Sequence, residues 1–327
     1  MTAARARQGL FLATLLAGLS QLAWPAQAYV RAVTSTGVPV SWSSPCVTMD
    51  IYLGSPPPTL TADQYWNAAL LAAQAWSHSD IACTGMIISM TRNEAATATV
   101  GHDGKNVLVF RQDNWCQQAS PTDPTPPCYP TNAMAVTTLF KRISTGEIVD
   151  ADMEINAVSF TWADLVADPT QASSGAVDFQ NTVTHEMGHV IGLTHSCWTS
   201  ADGPAPLMDN TGNPELACSD SNLPASVTDA TMYPAVATSD VERRTLTPDD
   251  QQGACDIYPS SKAICGVSSD GGCSMGGPAE SGSGRRWAVG FGAAVGLAFA
   301  VAALRRSRRR KTPAPSPRCA AHRYPES

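Results

Sequence analysis

The sequence predicts an α+β fold, in which strand-like apolar runs are combined with three helices that begin at capping residues. The helix starts are marked by Thr61, Asp178 and Thr247, whose side chains can accept hydrogen bonds from the first free N–H groups of a helix. Four runs rich in apolar and β-branched residues predict strands, and they cover residues 38–53, 98–110, 133–141 and 147–158. At 327 residues, the chain is long enough for one domain of about 200 residues with further segments at its ends.

Residues 1–28 are predicted to be a secretory signal. Arg5 and Arg7 precede an apolar run at residues 10–22, and an Ala-Gln-Ala sequence at the end forms a small-x-small cleavage site. A mature chain that begins at Tyr29 is therefore expected outside the cytoplasm.

The first helix is predicted to begin at Thr61. Together with Gln64 this residue forms a capping box, in which each side chain bonds to the other residue's backbone N–H group. The residues that predict its buried face follow at helical spacing, and they are Trp66, Leu70, Ala73 and Trp76. This helix is expected to pack on the sheet.

The middle of the chain is predicted to contribute strands and a loop. A turn at residues 102–104 divides the run at 98–110 into one or two strands, and a proline-rich surface loop follows at 117–131. The runs at 133–141 and 147–158 are two strands joined by a short turn.

Two later helices complete the predicted domain. Asp178 caps a helix over residues 179–191. Thr247 caps the last helix, and Pro248 occupies its first position, where a proline is favoured. The domain is expected to end at Pro259.

Charge is divided unevenly along the chain. Residues 29–284 hold 9 Lys and Arg against 27 Asp and Glu, so their net charge is 9 − 27 = −18, whereas residues 285–327 hold ten of the 21 basic residues. An acidic body repels nucleic acid, so a nucleic-acid partner is not expected.

Ten cysteines in an exported chain predict disulfides. Eight of them lie in the body of the chain, and eight cysteines allow roughly a hundred pairings. The expectation adopted here pairs nearest neighbours, which are Cys46 with Cys83, Cys116 with Cys128, Cys197 with Cys218 and Cys255 with Cys265.

The strongest chemical signal is the sequence HEMGHVIGLTH, which begins at His185. On a helix, His185 and His189 lie four residues apart on one face, so both rings can reach one metal ion. Gly192 can take a positive φ and turn His195 back as a third ligand. Three histidines with an open fourth position are typical of a catalytic zinc site. Glu186 lies close enough to act as general base on a water molecule.

The spacing HExxHxxGxxH resembles the signature of the metzincin metalloproteases. Within this group the chain is similar to the matrixins at three places: Ser196 after the third histidine, the Met-turn-like Ala-Thr-Met-Tyr-Pro at 230–234, and a C-terminal helix at 246–258. The resemblance covers most of residues 38–259. It implies an α+β catalytic domain at residues 29–259, with a mostly parallel twisted sheet, an antiparallel edge strand, a long active-site helix and a C-terminal helix.

The resemblance also implies roles for residues around the zinc. Met232 is expected beneath the metal as an apolar floor, with Tyr233 and Pro234 in the wall of the pocket for the substrate residue after the cut. Met208 is a rival for the Met-turn position. The first strand after the loop corresponds to the matrixin edge strand, along which an extended substrate lies. The residues expected there are Ala133, Met134, Ala135 and Val136.

Asp150, Asp152 and Glu154 alternate along the next strand, in a segment that resembles a matrixin segment binding a structural zinc and calcium. Asp152 stands where the family has a histidine ligand, so a second zinc is not predicted. Three carboxylates on one face could hold Ca²⁺. A solvated polar face is the alternative, and it is the favoured one.

Two further features have alternative interpretations. Cys46 could cap the zinc, as a propeptide cysteine does in many matrixins, but the propeptide motif is absent and a structural disulfide is expected. The insertion at residues 197–229 is longer than in most matrixins. It is either a lid that restricts the cleft or a disulfide-closed surface loop.

The C-terminal part is predicted to anchor the protein. Residues 260–286 are rich in Gly, Ser and Ala, which is typical of a flexible tether. Residues 287–304 form an uncharged apolar run just long enough to span a bilayer, and the basic residues at 305–327 predict a cytoplasmic tail. With Cys273 ahead of the span, the arrangement resembles MYXO-CTERM sorting tails, in which the cysteine is the processing or anchoring point. An exported, surface-anchored protein is expected.

The predicted function is that of a zinc-dependent endopeptidase acting on extracellular or surface proteins. The expected cofactor is one catalytic Zn²⁺, with Ca²⁺ as an additional option. The expected partners are a protein or peptide substrate and, through the C-terminal segment, a membrane, and the chain is expected to be a monomer. The alternative is an adhesion or binding module that holds zinc on the same scaffold without turnover. The intact Glu186 favours the enzyme.

Overall fold

A six-stranded sheet forms the centre of the computed structural model, which describes residues 29–119 and 124–266. Its strands are β1 (Ser41–Trp42), β2 (Cys46–Tyr52), β3 (Ile87–Asn93), β4 (Asn106–Arg111), β5 (Ala135–Lys141) and β6 (Glu147–Asn156). Parallel pairing gives the order β1-β6-β4-β2-β3, and β5 pairs antiparallel with β6. The structure therefore confirms a mixed α/β fold with a mostly parallel sheet.

The remaining elements of the described residues are four helices, two short 3₁₀ turns and a small parallel ladder. The helices are α1 (Ala62–Ala75), α2 (Phe179–Val190), α3 (Ala225–Thr228) and α4 (Pro248–Ile257). The 3₁₀ turns are Pro169–Ser174 and Glu242–Arg244, and the ladder pairs β7 (Trp162–Ala163) with β8 (Val177–Asp178).

The capping box at the start of α1 is confirmed. Gln64 N–H donates to Thr61 Oγ1 at 3.2 Å, and Thr61 N–H donates to Gln64 Oε1 at 2.9 Å. The predicted buried face of α1 is correct in part, because Ala73 and Trp76 are fully buried whereas Trp66 and Leu70 are only half-buried. Tyr65 and further alanines complete the buried face. Trp76 is fully buried and joins the two long helices, since its Nε1 donates to Thr184 O of α2 at 2.7 Å.

Asp178 fixes the start of α2, as predicted. Its Oδ1 accepts from Asn181 N–H at 2.8 Å, which satisfies one of the free donors of the first turn. Arg244 Nε donates to the same oxygen at 2.8 Å, and a second guanidinium nitrogen reaches Oδ2. The carboxylate is fully buried, so this paired cation offsets the cost of burying its charge.

The predicted strands were correct in part. The last two runs became β5 and β6 with ends within two residues, whereas the first run is split into β1 and β2. Residues 98–105 are not strand, because their backbone N–H groups bond to carboxylates of β6 instead of to another strand. β3 was not predicted, because its outward side chains are polar and its apolar signal is short.

Four disulfides link the eight cysteines of the described residues, and two of the four predicted pairs are wrong. Cys116–Cys128 and Cys197–Cys218 are confirmed, but the other four cysteines pair as Cys46–Cys265 and Cys83–Cys255. Nearest-neighbour pairing failed because the segment after α4 returns to the start of β3. There Ser260 N–H donates to Cys83 O at 2.8 Å and Cys265 N–H to Gly85 O at 3.0 Å.

The Cys46–Cys265 bond also decides the role of Cys46. Its sulfur is part of a structural disulfide, as expected, and the interpretation as a metal-capping thiol is wrong. Four disulfides suggest an extracellular or secreted protein.

The predicted signal at 1–28, most of the tether at 260–286, the span at 287–304 and the basic tail at 305–327 lie outside the described residues. Across residues 29–119 and 124–266, no helix has the length and apolar character needed to cross a membrane.

Candidate metal centre

Three histidines converge at the C-terminal half of α2. His185 and His189 project from the same face of the helix, and His195 returns to them after the helix ends. Their ring centroids are 5.0 Å apart for His185 and His189, 5.3 Å for His185 and His195, and 4.9 Å for His189 and His195. One potential ligand atom from each ring lies within 4.8 Å of the other two. The three side chains are close enough to hold one metal ion.

Gly192 makes this return possible. Its φ is +98°, a conformation that residues with a Cβ rarely adopt. A Cβ at this position would also lie 2.8 Å from Val40 O. The turn it forms places Leu193 O beneath His189, whose Nδ1 lies 3.0 Å from that oxygen.

Each imidazole Nδ1 lies against a hydrogen-bond acceptor. The partners are Thr231 O for His185 at 2.7 Å, Leu193 O for His189 at 3.0 Å, and Asp202 Oδ1 for His195 at 2.5 Å. An acceptor at Nδ1 requires the proton on that nitrogen, which leaves the Nε2 lone pair of each ring for a metal.

The electrostatic environment keeps the first two rings neutral. Burial, reinforced by the neighbouring His195, lowers the pKa of His189 to about 3. Burial, with the other two histidines nearby, lowers the pKa of His185 well below its usual value. Neutral imidazoles are the form that binds metal, and three of them fit the ligand set of zinc. Other divalent transition metals accept the same ligands.

Glu186 lies beside the histidines in a buried position. Its side chain is held by Thr137 of β5, whose hydroxyl donates to Oε2 at 2.6 Å. Burial raises the pKa of Glu186 to about 7, while the Thr137 hydrogen bond and His195 oppose this rise. A carboxyl group with a pKa near neutrality is suited to accept and release a proton at physiological pH.

Met232 packs directly against α2, the helix that carries His185 and His189. A Cβ on Gly188 would lie 2.2 Å from Met232 Sδ, so the glycine creates the space for the sulfur. Met232 is 2 % exposed, whereas the rival Met208 is 62 % exposed and far less suited to a floor position. The turn before Met232 also supplies Thr231 O, the acceptor for His185.

Asp250 of α4 anchors this turn. Its buried carboxylate accepts from Thr231 N–H at 2.8 Å and from Met232 N–H at 3.4 Å. It also accepts from the N–H and hydroxyl of Thr247 at 3.1 and 2.6 Å. No role at the site was predicted for Asp250 from the sequence. In the structure it links the C-terminal helix to the metal centre.

A cavity of about 380 Å³ opens beside the histidines. Five of the six residues predicted for the substrate pocket line it, namely Ala133, Met134, Ala135, Tyr233 and Pro234. The sixth, Val136, is not among the lining residues and pairs with Glu154 across β5 and β6. Arg243 was not predicted. Its guanidinium lines the cavity and donates to Tyr233 O at 3.0 Å.

The insertion at 197–229 contacts the candidate metal centre through His195. None of its residues lines the cavity described above. It contributes Asp202 instead, which contacts His195 and was not predicted from the sequence. Thr137 was also missed, because a threonine on a strand gives no sequence signal for contact with Glu186.

The carboxylates Asp150, Asp152 and Glu154 are all fully buried, so the favoured interpretation as a solvated face is wrong. Asp150 Oδ2 accepts from the N–H groups of Asp103 and Gly104, and the two oxygens of Asp152 accept from further N–H groups of the 101–107 loop.

Glu154 is paired differently. Arg111 Nε lies 2.8 Å from Glu154 Oε2, and Tyr129 OH donates to Oε1 at 2.8 Å. Among the described residues, the histidine cluster is the one group of three or more side chains arranged to hold a metal.

Comparisons with known proteins add little to this geometry. No protein-family model matches the chain, and no curated protein matches it. One solved structure that is similar in part is described as the GM1 bound form of the ECX AB5 holotoxin. The matched chain has 14 % sequence identity and a TM-score of 0.35, over 71 % of this chain and 89 % of that chain. A TM-score this low carries no argument about fold or activity. The fold and site define a disulfide-bonded α/β domain with a three-histidine centre able to hold a metal.

Proposed function

We propose that the protein is a zinc-dependent endopeptidase of the metzincin class, similar to the matrixins. The observation that carries the proposal is the buried Glu186 carboxylate next to three histidines that converge on one point, with a cavity open beside them. A structural zinc site has four protein ligands, and it needs neither an adjacent base nor a cavity. Three nitrogen ligands with a base support hydrolysis better than a structural role.

His185, His189 and His195 would hold the metal through their Nε2 atoms. Zinc, when bound, supplies a Lewis acid that polarises the scissile carbonyl and makes a water molecule more acidic. Thr231, Leu193 and Asp202 keep the three rings in the required tautomer and orientation through their Nδ1 atoms.

Glu186 is the group that moves the proton. We assign the transfer to Oε1, because Oε2 is held by the Thr137 hydroxyl. The carboxylate takes a proton from the attacking water and then gives it to the departing amine nitrogen, which balances the reaction without a side-chain nucleophile. Burial of Glu186 excludes bulk water from this proton and favours its return to the product.

The substrate is proposed to bind as an extended chain along β5. Within the described residues β5 pairs only with β6, so the N–H and C=O groups of its outer edge are available to another strand. The cavity at the start of β5 would then take the side chain that follows the cleaved bond, against Tyr233 and Pro234. Main-chain pairing of this kind requires a protein or peptide substrate.

Anchoring at the cell surface remains part of the proposal. The disulfides support an exported location, and the apolar and basic C-terminal segments in the sequence support a membrane tether. We propose a monomer, because an extended substrate can reach β5 and the cavity of a single chain.

The test compares the full chain, expressed with oxidised cysteines, with Glu186→Ala. Zinc content is measured by elemental analysis, and hydrolysis is measured on an unfolded protein. We expect one zinc per chain in both forms and a fall in kcat/KM of at least about 100-fold in the variant, as for loss of a general base. Glu147→Gln is the control, because Glu147 pairs with Arg142 near the surface of the sheet.

A different result would favour the second candidate, a metal-binding surface module without turnover. That result is full zinc occupancy with no cleavage of any member of a broad peptide library by the unaltered protein. Activity that persists in Glu186→Ala would contradict the assignment of the base while leaving the enzyme class intact.

A further inference from the structure

The third histidine is oriented by a different kind of group from the first two. His185 and His189 donate to backbone carbonyl groups, Thr231 O at 2.7 Å and Leu193 O at 3.0 Å. His195 donates to the Asp202 carboxylate, with Nδ1 and Oδ1 2.5 Å apart. A charged acceptor forms a shorter and stronger hydrogen bond than a neutral carbonyl, so the three rings are not held equally.

Asp202 is itself held in place for this contact. Its other oxygen, Oδ2, accepts from Thr199 N–H at 2.8 Å and from the Thr199 hydroxyl at 2.7 Å. The Asp202 side chain is 9 % exposed and the His195 side chain 20 % exposed. The carboxylate therefore has one oxygen fixed by its own loop and the other directed at the ring.

The loop that carries Asp202 is closed at its base next to His195. Cys197 directly follows the Ser196 that comes after the histidine, and its disulfide to Cys218 closes the loop. Trp198 N–H donates to Leu216 O at 2.8 Å, and Cys218 N–H donates to Trp198 O at 2.9 Å. Closure limits the positions that Asp202 can take relative to the ring.

We propose that Asp202 is a positioning residue of the metal centre, and that the loop at 197–218 exists in part to supply it. The inference rests on the proposed zinc site, and it assigns to the insertion a role in metal retention. The carboxylate fixes the proton on Nδ1 of His195, aims Nε2 at the metal position, and stabilises the positive charge that a bound cation induces on the ring. Metal affinity then depends on a residue that makes no contact with metal or substrate.

A purely structural role for Asp202 predicts a different outcome. Asp209 in the same loop provides the comparison, because its Oδ1 also accepts from loop N–H groups, those of Thr211 at 2.8 Å and Asn213 at 2.9 Å. Asp209 does not contact a metal-binding histidine. If Asp202 only stabilises its turn, Asp202→Asn and Asp209→Asn should affect the protein alike.

The experiment measures zinc affinity of the full chain by competition with a chromogenic chelator, without substrate. We expect Asp202→Asn to weaken zinc binding about 10- to 100-fold, the usual effect of losing an orienting carboxylate, and Asp209→Asn to change it less than about twofold. Asp202→Glu, which keeps the charge, should recover part of the loss. The visible spectrum of bound Co²⁺ should shift in Asp202→Asn alone.

Two controls keep the outcome decisive. The melting temperature of each metal-free variant shows whether it is folded, and Thr199→Val provides a milder change that removes the hydroxyl hydrogen bond to Asp202 Oδ2 but keeps the backbone N–H bond and the carboxylate. An unchanged affinity in folded Asp202→Asn, or an equal loss in Asp209→Asn, would overturn the inference. If the unaltered chain binds zinc but cleaves no peptide, the proposed function fails while this affinity test stands. If the unaltered chain binds no zinc, both fail.

Discussion

The histidine cluster at α2 and the carboxylate cluster on β6 look equivalent as sequence patterns, since each combines three side chains of metal-ligating type at short spacings. They differ in which side-chain atoms are still free to bind a metal once the hydrogen bonds within the protein have formed. In the first, acceptors occupy the Nδ1 atoms and leave three Nε2 atoms close together. In the second, N–H groups, Arg111 and Tyr129 occupy most of the carboxylate oxygens.

The contrast shows that ligand type and spacing are necessary for a metal site but do not decide it. A histidine has two ring nitrogens, so one can hold the fold while the other binds metal. A buried carboxylate without a cation needs its oxygens satisfied by the protein. The β6 cluster therefore works as an internal support for the loop at 101–107, and its carboxylates should respond to changes in a structural way.

The largest expected effect separates the two clusters directly. His189→Ala removes one of three nitrogen ligands and should weaken zinc binding by at least about 100-fold, more than loss of an orienting group would. Asp150→Asn should leave zinc affinity unchanged. Chelator competition on both variants checks this, and a comparable loss in the two would show that the clusters are coupled.

The next effect concerns the buried ion pair of the β6 cluster. Arg111→Ala leaves Glu154, whose side chain is 1 % exposed, without its cation. We expect a loss of about 3–5 kcal/mol in the free energy of unfolding, typical of an uncompensated buried charge. Arg142→Ala is the matched control, because its partner Glu147 lies at the surface and such pairs contribute about 0–1 kcal/mol. Denaturant unfolding measures both, and equal losses would contradict the assigned burial effect.

A third prediction uses the ionisation of Asp152. Burial, with Asp150 nearby, raises the pKa of Asp152 from 3.8 to about 7, although two N–H groups oppose the rise. Between pH 4 and 7 the folded state therefore binds more protons than the unfolded state at this residue. The protonated Asp152 side chain therefore favours the folded state, and this stabilisation is complete at low pH. The free energy of unfolding falls as pH rises through that range, by at most about 1.4 kcal/mol per pH unit.

Asp152→Asn should remove that part of the pH dependence. The measurement is the free energy of unfolding at several pH values for the unaltered chain and the variant, with the exposed Asp63→Asn as control. The difference between the two stability curves isolates the residue from other titrating groups. A difference that does not change with pH would show that Asp152 is ionised throughout.

The smallest expected effect is that of calcium. Asp150 Oδ1 is the one oxygen of Asp150 and Asp152 without a hydrogen-bond partner in the described part of the chain. A single free oxygen falls well short of the six to eight that Ca²⁺ takes. We expect about 10 mM calcium chloride to stabilise the protein by less than about 0.5 kcal/mol, measured as a change in melting temperature. A rise of several degrees that Asp150→Asn abolishes would restore the calcium interpretation.

Local rules predicted the parts of the molecule that depend on neighbouring residues. The caps at Thr61 and Asp178 and the turn at Gly192 were predictable, because each acts within a few residues of itself. The convergence of three histidines also followed from short spacings within one motif.

Long-range contacts were not predictable in the same way. The two wrong disulfide pairs failed because the segment after α4 crosses to residues 83–85, a contact with no local signature. Thr137 and Asp250 support the centre across separations of 49 and 19 residues. Asp202 lies only 7 residues from His195, but the fold of the insertion decides that the two side chains meet. Residues 98–101 were predicted as strand ahead of the turn at 102–104, but hydrogen bonds to distant side chains, such as that of Gly101 N–H to Asp152, replace strand pairing there.

The Cys46–Cys265 disulfide has a mechanical consequence. Cys265 lies near the C-terminal end of the described chain and Cys46 at the first residue of β2, 219 positions apart in the sequence. A load applied beyond Cys265 passes through the sulfur bridge into a strand that is paired on both sides, by β3 and β4. Helix α4 lies inside the closed loop, so the short covalent path from Cys265 to the sheet bypasses it. The protein can therefore be pulled from this end without peeling Asp250, and the Met232 turn it anchors, away from the three histidines.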